Sequence, residues 1–156
     1  MKIKMVAEEK YRPTYANETD ACMDLRAKIT KEDGVEYTSD TYCLSIPAGE
    51  TVKIHSGVQV SIPEGYVMKV YVRSSTGIKK NLCLANGTGI IDAGYRDEII
   101  MALHNFGKES VLIKDGDRLC QFILLPFPKL ELSFVEDNED FRKGDRGGGI
   151  GSTGEK

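Results

Sequence analysis

Apolar residues recur at every second position along most of this chain, and helical periodicity is nearly absent. The stretch "TVKIHSGVQVSI" (51–62) sets Val52 and Ile54, then Val58, Val60 and Ile62, on one face. In "GYVMKVYV" (65–72), Tyr66, Met68, Val70 and Val72 alternate with Val67, Lys69 and Tyr71. Such period-2 runs mark half-buried strands, because successive side chains of extended backbone point to opposite faces. "IIMAL" (99–103) and "QFILLPF" (121–127) are apolar on both faces, the pattern of a strand inside a sandwich or at an interface. Turn residues separate the runs at 47–49, 63–65, 86–87, 105–107 and 114–116. Short strands punctuated this regularly predict an all-β fold, a distorted jelly-roll or β-clip sandwich. One short helical turn is predicted near 75–80.

The 156 residues suit one domain. Against 24 acidic residues stand 21 Lys and Arg, a net charge of -3, with no basic run among them. Neutralising a nucleic-acid backbone takes a row of cations, so no nucleic-acid partner is expected. Any anionic ligand must be held by local groups or by a metal. No apolar run reaches the ~18 residues of a membrane span, and "MKIKMVAEEK" lacks a signal-peptide core, so a cytoplasmic protein with no membrane partner is expected. Cys22, Cys43, Cys83 and Cys120 form no C-x-x-C pair, and His55 and His104 lie far apart in sequence. A structural zinc is therefore unexpected, and the thiols read as reduced and mostly buried.

The last segment, "EDNEDFRKGDRGGGIGSTGEK" (136–156), holds six of the sixteen glycines and almost no core-forming residues. Residues 1–135 are expected to form the β body and 136–156 a flexible Gly-rich C-terminal arm. Gly149-x-Gly151-x-x-Gly154 formally matches a dinucleotide fingerprint, but only Glu155 and Lys156 follow it, too few for the required helix. Bare amides in Gly-rich backbone can still wrap an anion by folding over it.

Chemistry-bearing residues gather elsewhere. In "NGTGIIDAGYRDEI" (86–99), Asp92 closes a short apolar strand, with glycines around it and Tyr95 three residues on. "YVRSSTG" (71–77) offers the guanidinium of Arg73 with the hydroxyls of Ser74 and Ser75, a set suited to phosphate oxygens. "DGDRLCQF" (115–122) sets Arg118 and Gln121 at the start of an apolar strand, where a buried amide needs partners. "TDACMDLRA" (19–27) carries Asp20 and Asp24, too sparse for a calcium loop, though Asp24 could orient water on a magnesium ion held by phosphates. Each stretch alone is also compatible with an ordinary surface turn or cap.

Their order is more informative. Asp-Ala-Cys-Met-Asp-Leu-Arg-Ala, Val-Arg-Ser-Ser-Thr-Gly, Gly-Ile-Ile-Asp-Ala-Gly-Tyr-Arg-Asp-Glu, Gly-Asp-Arg-Leu-Cys-Gln and Arg-Gly-Gly-Gly-Ile-Gly-Ser-Thr-Gly follow one another from Asp20 to Gly154. The series resembles the five ordered motifs of the homotrimeric dUTP pyrophosphatases (dUTPases). That resemblance implies a jelly-roll homotrimer that hydrolyses dUTP to dUMP and pyrophosphate with Mg²⁺. It implies sites built from three chains, each closed by a neighbour's arm.

Carried over, Asp92 is the general base for a water attacking the α-phosphorus; an ordinary aspartate is ionised at neutral pH and can take the proton. Tyr95 packs under the deoxyribose, leaving no room for a 2′-hydroxyl. Asn86, with the backbone around Gly89, Ile90, Ile91 and Ile100, reads uracil within a hairpin. Arg73, Ser74, Ser75 and Gln121 hold phosphates, and Mg²⁺ bridges them with Asp24 behind its waters. From the arm, Arg146, Gly151, Ser152 and Thr153 close on the outer phosphates. Ile150 stands where the family commonly has an aromatic that stacks on the base, so weaker lid closure is expected. Asp97 and Cys22 replace glycines usual in the motifs.

Two rivals remain. A dCTP deaminase shares the fold and trimer but relies on a pocket glutamate and lacks the Gly-Ser-Thr-Gly tail; Glu98 is the available candidate. The other is a non-catalytic regulatory homologue.

Overall fold

The computed structural model describes residues 1–38, 41–136 and 143. Of the predicted arm only Glu136 and Lys143 fall within these, so the expectations for Arg146, Ile150, Gly151, Ser152 and Thr153 lie outside the described residues.

Eleven strands are described: β1 (Lys4–Val6), β2 (Met23–Arg26), β3 (Val35–Thr38), β4 (Thr41–Ile46), β5 (Thr51–Ser61), β6 (Tyr66–Val72), β7 (Leu82–Leu84), β8 (Gly89–Ile91), β9 (Glu98–Asn105), β10 (Val111–Lys114) and β11 (Arg118–Pro126). The predicted turn near 75–80 is a short helix, α1 (Ser74–Lys80), closed by Asn81 in left-handed conformation. Three antiparallel sheets form, in strand orders β1-β5-β9-β7, β10-β4-β3 and β2-β11-β6-β8. This is the expected all-β, jelly-roll-like architecture. Among the described residues, no helix is long and apolar enough to cross a membrane.

The alternation of 51–62 maps onto the core as read: Ile54, Val58 and Val60 are buried, with Ser56 on the same face. From β6, Met68 and Val70 join them. Ile99, Met101 and Leu103 of β9 complete the centre. Burial of each such side chain contributes roughly 1.5–3 kcal/mol, which makes this layer the main support of the fold. The other face of β9 is not covered, although its sequence is apolar: Ile100 is 39% exposed, and Ala102 and His104 are partly open. Of the two alternatives that pattern allowed, a strand buried on both sides is the one a single chain does not realise.

All four cysteines are free, Cys43 and Cys120 buried, Cys22 and Cys83 partly exposed, so half of the thiols are less buried than expected. Burial pushes the Cys120 thiol up to about 12, which keeps it protonated and inert as a nucleophile.

The loop that leads into β11 is tied down by Asp115. Its carboxylate accepts the Tyr11 hydroxyl at 2.9 Å and the Ile29 amide at 2.8 Å, and pairs with Lys10. Burial, then the bond to Asp115, raises the Tyr11 hydroxyl above its ordinary value. The folded state thus holds this proton more tightly. The stabilisation is fully present below the ordinary tyrosine range near ~10 and is lost only as pH rises past it, so it adds no sensitivity at neutral pH.

Candidate active site

Antiparallel pairing brings three of the singled-out segments to one place. In β11, Gln121 lies opposite Asp24 of β2 on one side and Tyr71 of β6 on the other. The chain leaves β6 at Arg73, whose amide donates to the Leu119 carbonyl at 3.0 Å, and turns directly into α1. Asp24, Arg73, Ser74 and Gln121 therefore line one cleft of about 300 Å³, with Ala16, Asp20, Ala21 and Cys22 completing it. Gln121 is half-buried, facing this cleft, rather than fully buried as the sequence suggested. Ser74 is exposed and Ser75 partly so, on the first turn of α1.

Asp24 is the anchor. It is 6% exposed, with Arg73 Nε 2.8 Å from one carboxylate oxygen and Arg118 Nη1 3.1 Å from the other. A buried carboxylate needs such partners. In return Asp24 fixes the plane of the Arg73 guanidinium; Nη1 donates to the Arg118 carbonyl at 3.4 Å, which leaves Nη2 for the cleft. Sequence reading noted Arg118 but gave it no part in the site. The missing signal was the pairing of β2 with β11, which places Arg118 opposite Arg26 and Asp24 opposite Gln121, close enough for Arg118 to reach Asp24 although the two are remote in sequence.

The cleft wall carries one guanidinium group, from Arg73, against the carboxylates of Asp24 and Asp20; Arg118 pairs with Asp24 from outside that lining. Asp20 is itself bonded by the Asn17 amide at 2.9 Å. A wall with one guanidinium against two carboxylates takes up a polyphosphate more readily with an added cation. Among the described residues no group of three or more His, Cys, Asp or Glu could cage a metal ion. This donor set suits a magnesium ion that keeps its waters and is held mainly by ligand phosphates.

The second group of residues lies on the excursion between β7 and β9. These two strands pair antiparallel, Leu84 opposite Leu103, and are the true arms of the hairpin. The stretch between those arms is more than a turn: β8 leaves that sheet and pairs with β6, Gly89 opposite Val70 and Ile91 opposite Met68. A Cβ at Gly89 would sit 3.0 Å from Val70 Cβ, so glycine lets β8 approach this closely without either strand giving way. Gly89→Val is expected to push β8 off β6 and destabilise the protein by roughly 1–3 kcal/mol. A denaturant midpoint unchanged from wild type would contradict that packing.

Asp92 follows β8 directly and opens a turn closed by the Tyr95 amide, which donates to the Asp92 carbonyl at 3.0 Å. The Tyr95 hydroxyl then donates to the Glu98 carbonyl at 2.7 Å, pinning the ring across the turn. Asp92 is exposed, and its carboxylate is bonded to no other described residue. It stands free to bind water, unlike Asp24 and Glu98. Asn86 is exposed, as are the large apolar side chains of Ile90 (52%) and Ile100 (39%); Gly89 and Ile91 are half-buried. The glutamate a deaminase would need is engaged: His55 Nδ1 lies 2.8 Å from Glu98 Oε2, and the Gly57 amide donates to Oε1.

Asp92 is not among the residues that line the cleft of Arg73, Ser74 and Gln121. Asp92 follows the residue paired with Met68, whereas Arg73 follows Val72 at the far end of the same β6 strand. Six strand residues separate those levels, roughly 20 Å.

Fold and site together define a class: jelly-roll-like antiparallel proteins with an anion-suited cleft and a free carboxylate on a separate turn. The family model for dUTPase matches residues 34–154, and the chain belongs to the dUTPase family. It is 36% identical over 155 residues to the deoxyuridine 5'-triphosphate nucleotidohydrolase of Finegoldia magna, with 99% of each chain covered. Identity to the Desulfitobacterium hafniense enzyme of the same name is 37% over 143 residues, covering 91% of this chain and 86% of the relative. Among solved structures, it resembles the dUTPase of phage phi11 of S. aureus with a TM-score of 0.72 and 26% identity, covering 90% of this chain and all (100%) of that one. A Staphylococcus bacteriophage 80alpha dUTPase bound to dUpNHpp shares the fold with a TM-score of 0.77 at 24% identity, covering 98% and 99%.

Proposed function

We infer that this chain carries out the activity of its family: it hydrolyses dUTP to dUMP and pyrophosphate, which limits uracil entry into DNA and supplies dUMP. Asp92 is the observation that carries the mechanism, a free carboxylate held at a strand end by a closed turn. It takes the proton from a water as that water attacks the α-phosphorus in line with the departing pyrophosphate. Tyr95, pinned across the turn, packs under the deoxyribose. Asn86 and the backbone of Gly89, Ile90, Ile91 and Ile100 receive the uracil. Ile90 and Ile100 are exposed apolar groups that a bound base would cover.

Arg73, Ser74, Ser75 and Gln121 hold the phosphates. Asp24 would hold a bound Mg²⁺ through its waters, and the ion would supply neutralisation of phosphate charge. Preorganised charge of this kind supplies most of what phosphoryl chemistry asks of a protein. Pyrophosphate release from dUTP, dependent on Mg²⁺, tests the reading. Ammonia release from dCTP would favour the deaminase, and no turnover of either would favour a regulatory homologue.

The site is shared between chains of a homotrimer. The span of about 20 Å between Asp92 and Arg73 along β6 supports this, because one nucleotide cannot engage two groups so placed within one chain. The uncovered face of β9 beyond Ile100, with Ala102 and His104 partly open, supports it too. So does the segment after β11, where Leu130 (76%), Leu132 (71%) and Phe134 (92%) are exposed at alternate positions, the pattern of a strand without its sheet.

Residues 136–156 serve as an arm that closes over a neighbour's site, with Arg146, Gly151, Ser152 and Thr153 on the phosphates and Ile150 against the base. Removing 144–156 is expected to leave a folded trimer with very low turnover. Unfolding on truncation would instead make the arm a structural element.

A further inference from the structure

The pairing of β5 with β9 contains a bulge. Between the pairs His55–Ile100 and Gln59–Glu98, β5 advances four residues while β9 advances two. The surplus backbone bends out at Gly57, which has φ +69°. Glu98 fills the irregularity from the opposite strand: Oε1 accepts the Gly57 amide, and Oε2 lies 2.8 Å from His55 Nδ1. The same residue's carbonyl accepts the Tyr95 hydroxyl at 2.7 Å. Tyr95 in turn closes the Asp92 turn through its amide. A continuous set of bonds thus joins the β5 bulge to the turn that presents Asp92.

We propose that Glu98 is a positioning residue for substrate recognition: by clasping the bulge of β5 it fixes the carbonyl on which Tyr95 is hung, and so sets the tyrosine that discriminates deoxyribose from ribose. The inference rests on the reading of Tyr95 as the sugar-facing side chain. A purely stabilising role is a poor explanation of the clasp. The His55 side chain is 47% exposed and that of Glu98 28%, and ion pairs at such exposure contribute little to stability. Geometry is a different matter. Glu98 is the first residue of β9, so whatever holds it determines where the preceding loop re-enters the sheet. A shift of the Tyr95 ring opens room beside C2′ before it alters the proton transfer at Asp92.

The test is steady-state kinetics of the full chain on dUTP and UTP. Glu98→Ala should raise KM for dUTP about fivefold, the change one lost hydrogen bond supports, with kcat nearly unchanged. The preference for dUTP over UTP should fall by a similar factor. Glu98→Gln, which keeps an acceptor for the Gly57 amide, should restore both. Tyr95→Phe should reproduce the loss, and the double variant with Glu98→Ala should be no worse than either single one, the non-additivity of residues acting through one element. Should Glu98→Ala fail to fold, His55→Ala removes one side of the clasp and is expected to shift the same ratio more mildly. A lower melting temperature with KM and the dUTP/UTP ratio intact would reduce Glu98 to a structural clasp and overturn the proposal. Tyr95→Ala separates the two levels. If it leaves the ratio unchanged, the sugar-facing reading falls and this inference with it. If it collapses the ratio while the Glu98 variants do not, the proposal alone is wrong.

Discussion

Asp92→Asn should lower kcat for dUTP by about 10²–10⁴-fold while leaving the fold intact, the range a positioned general base contributes. The amide is nearly the same size as the carboxylate but cannot accept the proton of the attacking water. No structural bond is lost, because the Asp92 carboxylate is bonded to no other described residue. The turn itself is held by the backbone of residues 92 and 95, which the substitution does not touch. KM should therefore change little, and thermal unfolding should match wild type. Circular dichroism melts beside single-turnover kinetics would check both halves. Turnover near the wild-type rate would mean that another group accepts the proton.

Arg73→Lys should lower kcat/KM by roughly 10–100-fold, mostly through KM, as expected for the loss of charge-assisted hydrogen bonds to a phosphate. Charge is conserved in this substitution; shape is not. Arginine turns its Nε to Asp24 at 2.8 Å and still presents the terminal nitrogen Nη2, whereas an ammonium is a single point that cannot serve both directions. Asp24, 6% exposed, keeps Arg118 as a partner, so the fold should survive. Equal kcat/KM for the two proteins would show that the guanidinium plane held by Asp24 plays no part in binding.

Residues adjacent in sequence were legible, and partnerships between distant segments were not. The alternation of 51–62 and 65–72 reported which side chains face the core, because period 2 is a property of the strand alone. The short helix at 74–80 was visible for a similar reason, lying between two strand patterns that exclude it. Which strands pair is decided by tertiary packing. Nothing in Gly89-Ile90-Ile91 says that β8 crosses to β6, although the glycine that permits the approach is present. Asp24 reads in sequence as a residue behind magnesium waters; that its carboxylate also holds Arg73 and Arg118 depends on strand pairing that no local pattern shows. Glu98 was weighed as a rival catalytic group, and its bonds to His55 and Gly57 depend on a bulge with no signature beyond one glycine.

Mixing two inactive proteins tests the division of the site most directly. Asp92→Asn retains the phosphate-binding wall, and Arg73→Ala retains the base. If each site takes Asp92 from one chain and Arg73 from the next around a threefold ring, co-expressing the two in equal amounts should restore about a quarter of wild-type activity, since only one of four neighbour combinations is complete. A mixture no more active than its separate parents, although shown to form mixed trimers, would mean that both groups serve the same chain, and the shared site would have to be abandoned.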